Sequence, residues 1–252
     1  MTWLHDLIIF AAAFVAGAVN SVAGGGSLVA FPTLVWMGLP PITANATNTV
    51  SLWPGSLGSL WGYRRELRET ESRMYALIAP SLVGGITGAL LLRLTPAAAF
   101  DRIVPVLILF ATCLFMAQEP IQRRFAAATG VDGRAGLAGA MLFQLLVGVY
   151  GGYFGAGIGI LMLAALSIMG HDDIHQMNGL KSLLALFVNG IAAVYFIWMQ
   201  MVSWQDASLM AVASILGGIG GAGFARRIGR PAVRRTVIVI GFGMALAMLI
   251  RL

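Results

Sequence analysis

Charge is what this sequence has least of. Asp, Glu, Lys and Arg make up 10% of its 252 residues, against about 25% in a soluble domain. With 59% hydrophobic residues and a mean hydropathy of +0.87, that scarcity excludes an ordinary water-soluble fold and marks an integral membrane protein. The few charges are clustered. None lies in Leu7–Tyr63, Ala135–Gly170, Ala207–Ala225 or Thr236–Ile250, and charge-free runs of that length mark membrane spans. Cysteine is nearly missing too. Cys113 stands alone, which excludes an intramolecular disulfide and a thiolate metal cluster. No Asp or Glu lies deep in a hydrophobic block, so the usual carboxylate proton relay has no candidate. No Ser–His or Cys–His pair with a third partner lies at membrane depth, so nucleophilic catalysis has no visible machinery and the chain does not read as an enzyme. The pattern calls for no cofactor and no metal: His171, Asp172, Asp173 and His175 sit at a block edge and read as solvated loop residues. His5 and Asp6 stand where a signal peptide would carry a basic segment, so no cleaved leader is expected.

The charge that is present is mostly arginine in short loops, with a net of +6. In a soluble chain this would suggest nucleic acid. Between hydrophobic blocks it reads as the cytoplasmic charge that sets topology, and no nucleic-acid partner is expected. Trp53, Trp61, Trp198 and Trp204 fall near block ends, where interfacial belts place aromatic residues.

Hydrophobic blocks lie at about 7–38, 42–62, 74–93 and 103–117, and again at about 135–170, 174–200, 207–225 and 236–250. A polar stretch, QEPIQRRFAAATGVDGR, joins the two sets. The expected organisation is a first repeat over 1–117, a cytoplasmic linker over 118–134 and a second repeat over 135–252, within one membrane domain. The halves look duplicated. VNSVAGGGS pairs with YGGYFGAGI, WMGLPPI with IMGHDDI, and LVGGITGA with LGGIGGAG. Gly58 and Tyr63 fall opposite Gly190 and Tyr195 at one offset of 132. Matches in this order indicate an internal repeat.

As one helix, residues 7–38 would run about 48 Å at 1.5 Å per residue, too long for a hydrocarbon core of about 30 Å. Two arms of about 16 residues, broken at the glycines and returning to one side, fit better. Each half then has three full crossings, an odd number, and the repeat is inverted. Arg64, Arg65, Arg68 and Arg73, the linker's Arg123, Arg124 and Arg134, and Arg226, Arg227, Arg230, Arg234 and Arg235 all fall inside in that topology, as the positive-inside rule asks. The loop 93–102, with two arginines, falls outside, as do both termini. The expected fold is an all-α integral membrane protein of two inverted repeats, each a glycine-broken re-entrant helix hairpin plus three transmembrane helices.

Four features could carry chemistry. The breaks GGGSL and GAGIG present half-helix N-termini, whose free N–H groups and partial positive charge suit an anion. The plainer reading is close helix packing through small residues. In ITANATNTVSLWPGS, the side chains of Thr43, Asn45, Thr47, Asn48, Thr49 and Ser51 either bond neighbouring helices or line a polar path; Pro54 follows as a kink signal. Lys181 is the only charge between Asp173 and Asp206. It either enters a cavity as an anion ligand or snorkels to the nearby block edge. Gln144, Tyr150 and Tyr153 lie beside the second break as further hydrogen-bond donors.

The first break followed by FPTLVWMGLPPITANATNTVSL, and the second-half GGYFGAGIGILMLAAL and NGLKSLLALFVN, resemble the sulfite exporter TauE/SafE family from about Phe14 to Leu249. The resemblance implies a multi-pass transporter of the bacterial cytoplasmic (inner) membrane that moves sulfite, sulfonates or other small organosulfur anions. Ile158 stands where Ser27 stands in the first half, so a symmetric substrate site does not follow. The expected mechanism is alternating access around an anion near the midplane. Backbone N–H groups of Gly24, Gly25, Gly26, Ser27, Gly155 and Gly157 would hold its oxygens. Asn20, Ser21, Asn45, Asn48, Thr49 and Tyr150 would add hydrogen bonds, and Lys181 would offset its charge. An anion channel with the same site is the alternative. The expected partners are a small anionic substrate and the lipid bilayer; association with further copies of the chain stays open.

Overall fold

Residues 2–22, 25–68, 72–117, 134–168, 174–228 and 230–250 are described by a computed structural model. Regular structure among the described residues is entirely helical. In chain order the α-helices are α1 (Thr2–Val22), α2 (Ser27–Trp36), α3 (Pro41–Gly62), the single turn α4 (Arg64–Arg68), α5 (Ile78–Leu94) and α6 (Ala97–Met116). The second half gives α7 (Arg134–Tyr153), α8 (Ile158–Ile168), α9 (Ile174–Trp198), α10 (Trp204–Ile228) and α11 (Arg230–Ile250). A 3-10 turn over Ser72–Leu77 leads into α5. The linker 118–133, Gly24 and the cluster His171–Asp173 lie outside the described residues.

Trp3–Asn20, Met74–Leu94, Ala97–Met116 and Gln176–Trp198 are long and apolar enough to cross a membrane. Their outward faces carry exposed Leu7, Val83, Val106 and Val194. Helices with such faces cannot all hide them in a single core, and lipid is the solvent that accepts them. This is a multi-pass membrane protein.

Both helix breaks fall at the expected glycines, but the arms are unequal. The first pair has 21 and 10 residues and the second 20 and 11, not two arms of about 16. Apolar, β-branched and small residues extend α1 back to Thr2, and no proline intervenes before the break. The longer arm alone spans about 30 Å at 1.5 Å per residue, the thickness of the hydrocarbon core. The expected outer loop 93–102 is also corrected. Arg93 belongs to α5 and Arg102 to α6, leaving only Thr95 and Pro96 between them. Pro96 fixes the turn and ends one helix as it starts the next. Pro54 lies inside α3, which continues to Gly62.

The two breaks use glycine for different physical reasons. In the second, Gly155 and Gly157 both have φ of +79°, a left-handed conformation that ends α7 and that side chains with a Cβ rarely take. In the first, Gly26 is right-handed at φ −59°, so conformation does not demand glycine. Space does: a Cβ on Gly25 would sit 2.6 Å from Phe115 Cε2, and one on Gly26 would run into the Ala16 carbonyl and the Asn20 side chain.

The halves are packed through each other. Helix α1 lies along α10, and α5 lies along α7, in the two most extensive helix contacts among the described residues. Exchanging the halves exchanges these pairs, and likewise exchanges α5–α9 with α3–α10. Glycines make the close approach. Gly17 abuts the Ser214 backbone and Gly217 that of Phe14; Gly84 and Gly88 meet Gly148 and Gly152. So LVGGITGA and LGGIGGAG each clasp the first helix of the opposite half. Lipid tails are as apolar as leucine, so such seams rest on close backbone packing rather than on apolar burial.

Candidate functional site

The two breaks converge on one face of α6. Phe115 packs on Gly25, and Ala111, one turn earlier, lies against Gly157, its carbonyl oxygen 3.7 Å from the point a Cβ would occupy there. Helix α3 joins them from the other side. Asn45 Nδ2 donates to the Tyr153 carbonyl at 3.0 Å, at the second break. Asn48 Nδ2 donates to Ser27 Oγ at 3.2 Å, at the first. Residues three apart share a helix face, so one asparagine face of α3 holds both breaks. Phe31 of α2 stacks edge-on to Phe154, with ring centroids 5.2 Å apart, and closes the apolar side.

Several residues expected to bind a ligand instead shape the breaks. Asn20 Oδ1 accepts from the Gly26 N–H at 2.7 Å, so it clamps the first turn. Leu28 N–H and Val29 N–H donate to the Gly25 and Gly26 carbonyls. The Ser27 N–H, in the first turn of α2, has no acceptor among the described residues. Tyr150 bridges its own break, its hydroxyl donating to the Ala156 carbonyl at 2.8 Å. Gly155 N–H closes α7 onto the Tyr150 carbonyl, which leaves Gly157, Ile158 and Gly159 as the donors facing onward. Thr49 Oγ1 donates to the Asn45 carbonyl at 2.9 Å. Ser21 lies in the last turn of α1. Gln144 lies away from the break, donating to Ser81 Oγ at 2.8 Å within the α5–α7 seam. Tyr153 turns its hydroxyl to Thr95 and its ring to Phe100. The indole of Trp53 donates to the Leu186 carbonyl at 3.2 Å and its ring covers Gly190.

The polar run of α3 therefore divides. Thr47 Oγ1 accepts from the Ser203 N–H at 3.0 Å, and the Ser51 carbonyl accepts from Ser214 Oγ at 3.2 Å, so both tie α3 to α10 and the turn that leads into it. Asn45 and Asn48 face the breaks. Lys181 reaches the second break from α9. Its aliphatic stem packs on Gly159, with Cδ 3.2 Å from where a Cβ would stand, and Nζ donates to Asn178 Oδ1 at 3.0 Å. Each short helix thus starts beside one polar group from the helix that follows it, Asn48 at α2 and Lys181 at α8. Sequence reasoning missed Asn178, although its i, i+3 spacing to Lys181 was a readable signal. It also missed Phe115 and Phe31, whose role depends on packing between distant segments. Among the described residues no cluster of His, Cys, Asp or Glu could hold a metal.

Replacing Asn20 with alanine leaves the Gly26 N–H without its acceptor, which costs about 1–3 kcal/mol. The expected result is a lower melting temperature for purified N20A, with N20D close to the parent because a carboxylate oxygen still accepts. Equal melting of N20A and parent would rule out the clamp.

Paired helix breaks meeting beneath a polar helix face, inside a multi-pass helical bundle, define the class of membrane transporters built on broken helices. The particular family follows from comparison. The model of the family described as "Sulfite exporter TauE/SafE" matches residues 9–248, and the chain belongs to that family. A "Probable membrane transporter protein" of Haemophilus influenzae is 28% identical over 96% of this chain and 93% of its own length. "Probable membrane transporter protein YfcA" of Escherichia coli K12 is 27% identical over 96% of this chain and 88% of its own. "Probable membrane transporter protein ORF9" of a Sinorhizobium species is 25% identical over 96% and 91%. No solved structure matches the chain.

Proposed function

We propose that this protein is a secondary transporter that carries a small sulfur-containing oxyanion, sulfite or a sulfonate, by alternating access across the cytoplasmic membrane. The observation that carries the proposal is the meeting of both breaks on one face of α6 and one asparagine face of α3. N–H groups from Ser27 on one side and Gly157–Gly159 on the other point partial positive charge at that junction, and a small oxyanion has acceptors for them. Lys181 adds a full positive charge beside α8. Asn45 and Asn48 are 1% and 2% exposed, so a ligand reaches them only when the halves part. The exchange of α1–α10 with α5–α7 supports two repeats that rock as units, and the arginine distribution supports their being inverted.

A channel through the same junction would conduct without saturating. The test is uptake of radiolabelled sulfite into proteoliposomes containing the purified protein, with membrane current recorded in parallel. Saturable uptake, with little current beyond what turnover supplies, is the expected result. In N48A, which loses an amide at the first break, the apparent KM should rise about tenfold, the worth of roughly 1.4 kcal/mol. Uptake linear in concentration, or N48A indistinguishable from the parent, would overturn this assignment.

A further inference from the structure

Asn45 and Asn48 have side-chain oxygens that are buried and without a hydrogen-bond partner among the described residues. Buried polar atoms in folded proteins are nearly always paired, and each exception asks for a reason. The orientation of Asn45 is not a free choice. The Tyr153 carbonyl can only accept, so the atom 3.0 Å from it must be the amide nitrogen, and Oδ1 must face elsewhere. Ser27 Oγ both donates and accepts, so the Asn48 amide can present either end. One fixed acceptor and one reversible group therefore stand on the asparagine face between the breaks. Backbone N–H groups and Lys181 recognise acceptors. A fixed, buried acceptor recognises a donor.

Resting on the anion-site reading above, we infer that the ligand carries a hydrogen-bond donor as well as its oxyanion group, and that Asn45 Oδ1 accepts from it. The chemical class is a small oxyanion bearing an O–H or N–H: a hydroxy- or amino-substituted sulfonate, or an oxyanion that keeps one proton. The oxyanion end lies on the N–H groups of Ser27 and Gly157–Gly159. The donor end lies on Asn45, with Asn48 turning its amide to suit. Residues three apart on a helix have Cβ atoms about 5–6 Å apart, so both amides reach one ligand of a few heavy atoms. The other orphaned buried oxygens, on Asp101 and Gln144, belong to α6 and to the α5–α7 seam and have no part in this.

The test compares two sulfonates of equal charge and nearly equal shape. 2-Hydroxyethanesulfonate has a hydroxyl where propane-1-sulfonate has a methyl. Affinities are measured by calorimetry on the full-length protein in detergent. The hydroxyl compound should bind at least tenfold tighter, because the methyl compound buries Asn45 Oδ1 unpaired. The preference should fall below threefold in N45A, and N48A should lower affinity for both compounds. In a second arm, sulfite affinity is followed from pH 8 downwards. Tightening as sulfite takes up its proton, with no such change for propane-1-sulfonate, whose fixed charge reports any contribution from Lys181, identifies a protonated oxyanion as the donor. A pH-independent affinity, with the hydroxyl preference intact, identifies a substituted sulfonate. Equal affinity for the two sulfonates together with no pH effect overturns the donor inference, whether water or sodium satisfies the amides instead, and leaves the anion site standing. Binding of neither sulfonate nor sulfite overturns the anion site itself, and the inference with it. N45A also loses the bond to Tyr153, but the comparison of sulfonates on the parent protein needs no variant.

Discussion

Replacing Lys181 with methionine is expected to weaken sulfite binding and to lower uptake at sub-saturating sulfite by about 10- to 100-fold. A hydrogen bond or ion pair with a charged group in a dry site is worth about 1.5–3 kcal/mol, and 1.4 kcal/mol is a factor of ten. Methionine keeps the stem that lies over Gly159 and removes only the charge, so the protein should fold and melt close to the parent. Asn178→Leu should give a smaller loss, because it frees Nζ from its anchor at 3.0 Å without removing the charge. Both variants are measured by calorimetry and by proteoliposome uptake. If K181M binds sulfite as the parent does, Lys181 is a snorkelling residue whose head serves the membrane edge, and the charge balance proposed for the site is wrong.

Replacing Gly152 with valine is expected to abolish folded protein. Even the Cβ of an alanine at that position would fall on the Gly85 carbonyl, and the backbone of α5 is the obstacle rather than a side chain that can swing aside. Overpacking a tight interior costs about 1–3 kcal/mol where side chains can adjust, and a backbone collision along the α5–α7 seam leaves less to adjust. Expression followed by size-exclusion chromatography of a fluorescent fusion checks this: G152V should run in the void or not appear. Gly139→Ala and Gly243→Ala, where nothing lies within 4 Å of the added carbon, serve as controls and should elute normally. A monodisperse G152V would show that the seam is looser than its geometry implies.

These two expectations differ in how visible their residues were. Lys181 stood out in the sequence because an isolated charge in a long apolar run needs a reason. Gly152 did not, since one glycine among 32 says nothing about which backbone it touches. The same contrast runs through the junction. The glycine breaks were legible because residues 7–38 are too long for one crossing. Their unequal arms were not, because hydrophobicity marks a block but not the point within it where helical hydrogen bonding ends. Asn20 and Tyr150 lie beside a break in the sequence and Asn48 in the polar run of α3, and a one-dimensional reading grouped them by polarity alone. Only side-chain direction separates a clamp on Gly26, a group facing the junction and a bridge across a break.

The sequence by itself determined a helical membrane protein, broken twice by glycine and carrying little charge between its loops. Those properties follow from composition and spacing, because water, lipid and backbone impose them on any chain. The tertiary structure decided that each half clasps the other through glycines, that both breaks meet beside Ala111 and Phe115, and that Asn45 is held with its oxygen unpaired among the described residues. Those are facts of close approach between residues as far apart in sequence as Phe14 and Gly217. Close approach is fixed by how helices pack, not by what any one of them contains.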